Sequence, residues 1–134
     1  YLNDIINKLE AIKKFSGLDQ CKNLASANKR VSNILKKFTG SIEKIDESLL
    51  EEVEEIQLFK TITKLNPVII EALNKKNFIG ALNSLVDLKE PIDQFFENVM
   101  VNSDNEKIKI NRHNLLNQLH ISLNSVADIS KLAN

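Results

Sequence analysis

Apolar residues return along this chain at every third or fourth position, a spacing that predicts amphipathic helices almost from end to end. From Leu2 to Phe15, the residues Leu2, Ile5, Ile6, Leu9, Ile12 and Phe15 share one face, and Ser16-Gly17 ends the segment. A second and more regular helix is expected from about Asp19 to Phe38, with Leu24, Ala27, Val31, Ile34 and Phe38 on one stripe and Thr39-Gly40 closing it. A connector follows from Ser41 to Ile45. The acidic segment from Asp46 to Glu55 then opens a third helix carrying Leu49, Leu50, Val53, Ile56 and Phe59, with Asp46 or Ser48 as its cap.

Two prolines punctuate the middle of the chain. Pro67 disfavours helical geometry at Asn66, which predicts a break or kink and a short separate helix from Pro67 to about Lys75. Another helix is expected over Asn77 to Lys89. Beyond it the stripe Leu85, Leu88, Ile92, Phe95, Val99 keeps its phase across Pro91, so the favoured reading is a fresh helix with Pro91 in its first turn, where no amide hydrogen is needed. Asn102 to Asn105 is the clearest loop. A last helix from near Glu106 to about Ala127 carries Ile108, Leu115, Leu119, Leu123 and Val126, flanked by Leu116 and Ile121. The fold class read from this pattern is all-α: one domain over residues 1–134, a bundle of about six helices with short connections.

Composition narrows the setting. With 43% apolar residues and only three Gly and two Pro, the chain suits a helical core and not a disordered tail. A single cysteine, Cys21, excludes a disulfide framework and a cysteine-rich zinc site, and reads as a half-buried helix residue. No stretch has the length or apolarity of a membrane span and no secretory leader is visible, so the expected setting is cytoplasmic, with no membrane partner. The chain opens at Tyr1 directly in a helical pattern, which reads as a piece of a longer polypeptide.

Eighteen Lys and Arg balance eighteen Asp and Glu, so any grip on nucleic acid has to come from a local patch. The second helix supplies one. With Val31 facing the core, Lys22, Lys29, Asn33 and Lys36 fall on the opposite face at 100° per residue, flanked by Arg30 and Lys37. Cations in a row along a rigid helix neutralise phosphates and release counterions; the plainer reading is a solvated lysine-rich surface.

Other charged groups point to structure more than chemistry. Glu51, Glu52, Glu54 and Glu55 read as a solvated helix face, since nothing nearby desolvates one of them for acid-base work. His113 and His120 lack a third ligand at a supporting spacing, so no metal is expected. Lys109, Arg112 and His113 form a smaller basic group. Arg112, however, stands seven residues before Leu119 on the core stripe, so its guanidinium is expected to tuck against a carboxylate such as Asp93 or Glu97. No phosphate loop, nucleophile elbow or catalytic triad stands out, and the chain is read as non-catalytic.

Two stretches carry a resemblance. Ala25-Ser-Ala-Asn-Lys-Arg-Val-Ser-Asn-Ile-Leu-Lys-Lys37 resembles the A-x-x-K-R-x-x-N-I helix of bacterial glycyl-tRNA synthetase beta subunits. Leu85-Val-Asp-Leu-Lys-Glu-Pro-Ile-Asp-Gln-Phe-Phe-Glu-Asn-Val-Met-Val101 is similar to their L-x-x-P-[IV]-D-x-F-F-[DE]-x-V-M-V run. A polar loop follows, then Asn111-Arg112 with Leu115-Leu116, and a closing Val126-Ala127-Asp128-Ile129-Ser130-Lys131-Leu132. The arginyl-type DALR domain shares a helical fold and a late Arg-x-x-Leu without the full run; it is the nearest alternative, and a helical protein-interaction module is the other.

The resemblance implies a C-terminal anticodon-binding domain of DALR type that holds the anticodon stem and loop of glycine tRNA. It belongs to a longer beta subunit working with a catalytic alpha subunit. The parent enzyme attaches glycine to its tRNA using ATP and Mg elsewhere, so no cofactor is implied in this domain, and DNA is not an implied partner. Carried over by motif, Lys29, Arg30, Asn33, Lys36 and Lys37 face RNA, with Arg112 a further candidate. Lysines and Arg30 would hold the backbone, while Asn33 or a carboxylate reads base edges; glycine anticodons carry two cytosines, whose amino groups donate to acceptors.

Overall fold

Six α-helices follow one another in the computed structural model, which describes residues 2–131: α1 (Leu2–Ser16), α2 (Asp19–Lys37), α3 (Val53–Asn74), α4 (Phe78–Leu85), α5 (Lys89–Asn98) and α6 (Glu106–Leu123). Short 3-10 turns cover Glu47–Leu49, Val86–Leu88 and Ile129–Lys131. Helix α3 packs on α4, α5 and α6; α2 lies against α6 and the closing 3-10 turn; α1 sits on α4. Tyr1 and Leu132, at either end of the stretches read above, lie outside the described residues. Among those described, no helix is long and apolar enough to cross a membrane.

The apolar stripes meet in one core. Leu24 and Val31 of α2, Leu58, Ile62, Leu65 and Ile69 of α3, Leu82 and Leu85 of α4, Phe95 of α5 and Leu115, Leu116, Leu119 and Leu123 of α6 are all buried in it. Cys21 is fully buried there, beyond the half-burial its position suggested, and burial pushes its thiol above the usual cysteine range. Ellman's reagent should therefore react with Cys21 only slowly in the native chain and rapidly in denaturant; fast labelling under native conditions would contradict the packing of α2.

Pro67 does not break the chain. Helix α3 runs unbroken from Val53 to Asn74 through the proline, correcting the expected break and separate helix. An interior proline costs about 3 kcal/mol. Each core side chain that continuity keeps in register contributes roughly 1.5–3 kcal/mol, and Leu65 and Ile69 lie buried on either side of Pro67. The proline ring itself faces solvent. Pro91 behaves as expected, in the first turn of α5. The helix before it is shorter than the spacing suggested, since α4 ends at Leu85 and a 3-10 turn carries the stripe into α5.

The acidic segment also divides. Asp46 caps the 3-10 turn and not the helix, accepting from the Ser48 amide at 3.0 Å and its hydroxyl at 2.6 Å, contacts that hold its carboxyl below the usual range. Helix α3 begins only at Val53, where the Glu52 amide donates to Glu55 Oε1 at 3.1 Å. Its other end closes with Lys76 at a φ of 60°. There the Asn77 amide donates to the Ala72 carbonyl and the Lys76 amide to that of Leu73. Lys76 in turn pairs with Asp4 of α1 at 2.9 Å.

Residues 38–52 have no long helix, yet they are fastened to α6. The Glu43 amide donates to Asn114 Oδ1 at 2.8 Å and the Asp46 amide to Asn111 Oδ1 at 2.7 Å, while Asn111 Nδ2 returns a bond to the Asp46 carbonyl at 3.0 Å. Both asparagines are buried. A side-chain amide offers one acceptor and two donors, so it can replace a neighbouring strand for a lone extended segment. Helix α6 is thus covered on several sides, and its residues from Asn111 to Leu116 are buried without interruption.

Candidate nucleic-acid interface

Lys29, Arg30, Asn33, Lys36 and Lys37 all lie on the exposed side of α2, opposite buried Leu24, Asn28 and Val31. Among the described residues none of Lys29, Arg30, Lys36 and Lys37 has a carboxylate within 4.0 Å, so their charge is not spent on internal ion pairs. Lys22 extends the row toward the start of the helix and is likewise exposed.

A depression lies beside each end of this row. The first is a cavity of about 380 Å³ between α2 and α5, lined by Asn23, Ser26, Ala27, Arg30, Ile92, Asp93, Phe96 and Glu97. The Arg30 guanidinium lies 4.1 Å from the centre of the Phe96 ring, a cation–π contact that fixes a long side chain at the cavity wall. Phe96 itself is half-buried and meets Phe95 edge to face at 5.5 Å. The second depression, also about 380 Å³, is lined by Ile34, Lys37, Phe38, Thr39, Asn102, Lys109 and His113. Arg30 and Lys37 are seven residues apart, so the two depressions are separated by roughly 10 Å along the helix axis.

Phe38 and His113 form a pair that reading the sequence missed. Their rings stack with centroids 4.0 Å apart and planes at 15°, and His113 Nδ1 meets the Lys109 carbonyl at 2.7 Å. The ring of Phe38 also packs on Gly40: a Cβ there would stand 2.4 Å from it, so only glycine permits the approach. His113 is consequently buried, and of the basic group Lys109, Arg112 and His113, only Lys109 and the edge of His113 reach a depression.

Arg112 is inside. It is 5% exposed; Nη2 bonds Glu55 Oε1 at 2.8 Å and approaches Glu51 at 3.5 Å, and Nη1 donates to the Met100 carbonyl at 2.6 Å. The expected partners Asp93 and Glu97 are corrected to Glu55 and Glu51, and Asp93 pairs instead with Lys89 at 3.3 Å. Glu55 is fully buried, not solvated with its acidic neighbours. A further polar pair was not foreseen: Asn28 and Asn124 exchange amide bonds at 3.0 and 2.9 Å, tying α2 to the turn after α6.

The DALR anticodon binding domain family matches residues 24–131, from the second turn of α2 to the closing turn. The chain belongs to this family. Helix α1 lies before the matched region of the DALR domain, and Lys29, Arg30, Lys36 and Lys37, the second depression and the Arg112–Glu55 pair lie within it. The DALR domain is also similar to the glycine–tRNA ligase beta subunits of Janthinobacterium sp. (strain Marseille), 42% identical over 133 residues, and Methylobacillus flagellatus, 43% over 133. The same subunit of Neisseria meningitidis serogroup C is 43% identical over 131 residues. These alignments cover 98% of the chain and 19% of each of those subunits.

Proposed function

We propose that this DALR domain grips the anticodon stem and loop of glycine tRNA as part of a glycine–tRNA ligase beta subunit. Lys29, Arg30, Lys36 and Lys37 hold the sugar-phosphate backbone and Asn33 lies among them as a reader of bases. The observation that supports it best is the row of four cations, without an ion-pair partner among the described residues, on one helix of a chain whose net charge is zero. A balanced chain that leaves its cations unpaired on one face presents a local positive field to a polyanion. The domain positions; it does not catalyse. Attachment of glycine, with its ATP and Mg, belongs to the rest of the enzyme and its catalytic alpha subunit, and the setting is cytoplasmic. Arg112 is left out of the RNA-facing set because its guanidinium is buried, with Nη1 on the Met100 carbonyl and Nη2 on Glu55.

The test is the affinity of the chain for transcribed glycine tRNA and for the same tRNA with an altered anticodon, at two salt concentrations. The expected result is tighter binding at low salt and a preference for the glycine anticodon. Equal affinity for both RNAs, or binding indifferent to salt, would overturn the assignment.

A further inference from the structure

The cavity between α2 and α5 combines groups that usually cancel one another. Arg30 and Glu97 both line it, yet among the described residues they form no ion pair, and Glu97 has no other hydrogen-bond or ionic partner. The guanidinium is held on the Phe96 ring at 4.1 Å instead. Stacking uses the face of the guanidinium and leaves its N–H edge free to donate. Asp93 also lines the cavity, partly neutralised by Lys89 at 3.3 Å. Ala27, Ile92 and Phe96 give it an apolar wall. A volume of about 380 Å³ lies within the roughly 300–1,000 Å³ of small-ligand clefts.

A ligand that satisfies both free groups carries a donor beside acceptors on one apolar, planar body. The Watson–Crick edge of cytosine has this pattern: the N4 amino group donates, and N3 and O2 accept. Carboxylates accept from cytosine N4, and single-stranded RNA offers such edges when its bases are unstacked. Uracil reverses the pattern, bringing its O4 against the carboxylate as acceptor against acceptor. Building on the RNA-binding function above, we infer that this cavity is a cytosine-selecting subsite, in which Glu97 accepts from N4 and Arg30, reassigned from the backbone to the base, donates to N3 and O2. Neighbouring cations on α2 hold the adjoining phosphates. Glu97 is then a specificity-determining residue, although a carboxylate is the last group that phosphate binding alone would place beside the row.

That opposition makes the test sharp. Binding is measured by fluorescence anisotropy with a glycine anticodon stem-loop and with stem-loops in which each anticodon cytosine in turn is replaced by uracil. The wild-type chain is expected to lose about ten-fold in affinity for one of the replaced RNAs. Glu97→Ala, at an exposed helix position, should weaken binding of the cytosine RNA while leaving or improving that of the uracil RNA, so their ratio falls toward one. Glu97→Gln should recover the cytosine RNA, since its amide oxygen still accepts, and also admit the uracil RNA, since its NH2 donates to O4. Simple electrostatics predicts otherwise: removing a negative charge strengthens binding of every RNA equally. An unchanged cytosine-to-uracil ratio in Glu97→Ala overturns the subsite and leaves the RNA-binding function standing; a wild-type chain that binds no stem-loop overturns both.

Discussion

Replacing Arg112 by alanine lowers the stability of the domain by about 3–5 kcal/mol, the usual cost of stranding one member of a buried ion pair. The reason lies in what remains. Glu55 is fully buried, and its Oε1 accepts from Arg112 at 2.8 Å and from the Glu52 amide at 3.1 Å. Without the guanidinium, a desolvated carboxylate stays at the first turn of α3 and the Met100 carbonyl loses its donor. Since small domains are stable by roughly 5–15 kcal/mol, such a loss moves the urea midpoint far enough to measure directly. The double variant Glu55→Leu with Arg112→Met removes both charges and should regain about half of the loss. A residue of about 1–3 kcal/mol remains for the orphaned carbonyl and the missing cap. A single-variant loss below about 1 kcal/mol would show the pair to be solvated and the buried geometry wrong. At a temperature where the variant is folded, its RNA binding should keep the wild-type salt slope, because Arg112 touches no phosphate.

Charge reversal on α2 acts on the other property and spares the first. Changing Lys29, Arg30, Lys36 and Lys37 together to Glu is expected to weaken tRNA binding by about 100-fold or more at low salt, and to flatten the salt dependence by about two to three units of slope. The slope follows from three lysine contacts to phosphate at about 0.7–0.9 of a counterion each, with Arg30 lost from the base edge. All four side chains are exposed, and surface substitutions away from specific contacts usually change stability by about 0.5 kcal/mol or less. Arg30 has one such contact, with Phe96, so a slightly larger loss is expected there. Thermal unfolding and binding measured on the same sample separate the outcomes. A folded variant that binds tRNA with undiminished affinity would reduce the row to a solvated surface.

The two proline sites show how much of this was legible. At Pro91 local rule and tertiary demand agree, because a first-turn proline loses no hydrogen bond, and the stripe could be followed across it. At Pro67 they conflict. A local rule says break, while Leu58, Ile62, Leu65 and Ile69 keep one phase through the proline; burial on both sides outweighs one lost bond. The cations of α2 were legible for a related reason, since an exposed face is defined by the apolar stripe opposite. Glu55 was hidden among its acidic neighbours Glu51, Glu52 and Glu54, though a signal existed. It stands seven residues before Ile62 and fourteen before Ile69, in phase with the core just as Arg112 is in phase with Leu119. Two opposite charges each in phase with a core stripe are a pairing rule that the periodicity already contained. The stack of Phe38 on His113 joins residues 75 positions apart and had no such signal, because it depends on how the connector after α2 is laid across α6.

The polar groups inside α6 bear on which rotation of that helix the fold accepts. Leucines at 115, 116, 119 and 123 are nearly interchangeable as fillers, and apolar packing alone tolerates a roll or a slide of such a helix with modest loss. Asn111, Arg112 and Asn114 are not interchangeable, since each meets a partner at a set direction: the connector's backbone, Glu55, and the connector again. Turning α6 by one residue would strand all three at once, at about 1–3 kcal/mol for each neutral group and more for the charge. The interior therefore works as a key with three teeth, and the helix whose buried side is most interrupted by polar residues is the one whose azimuth is most strictly assigned.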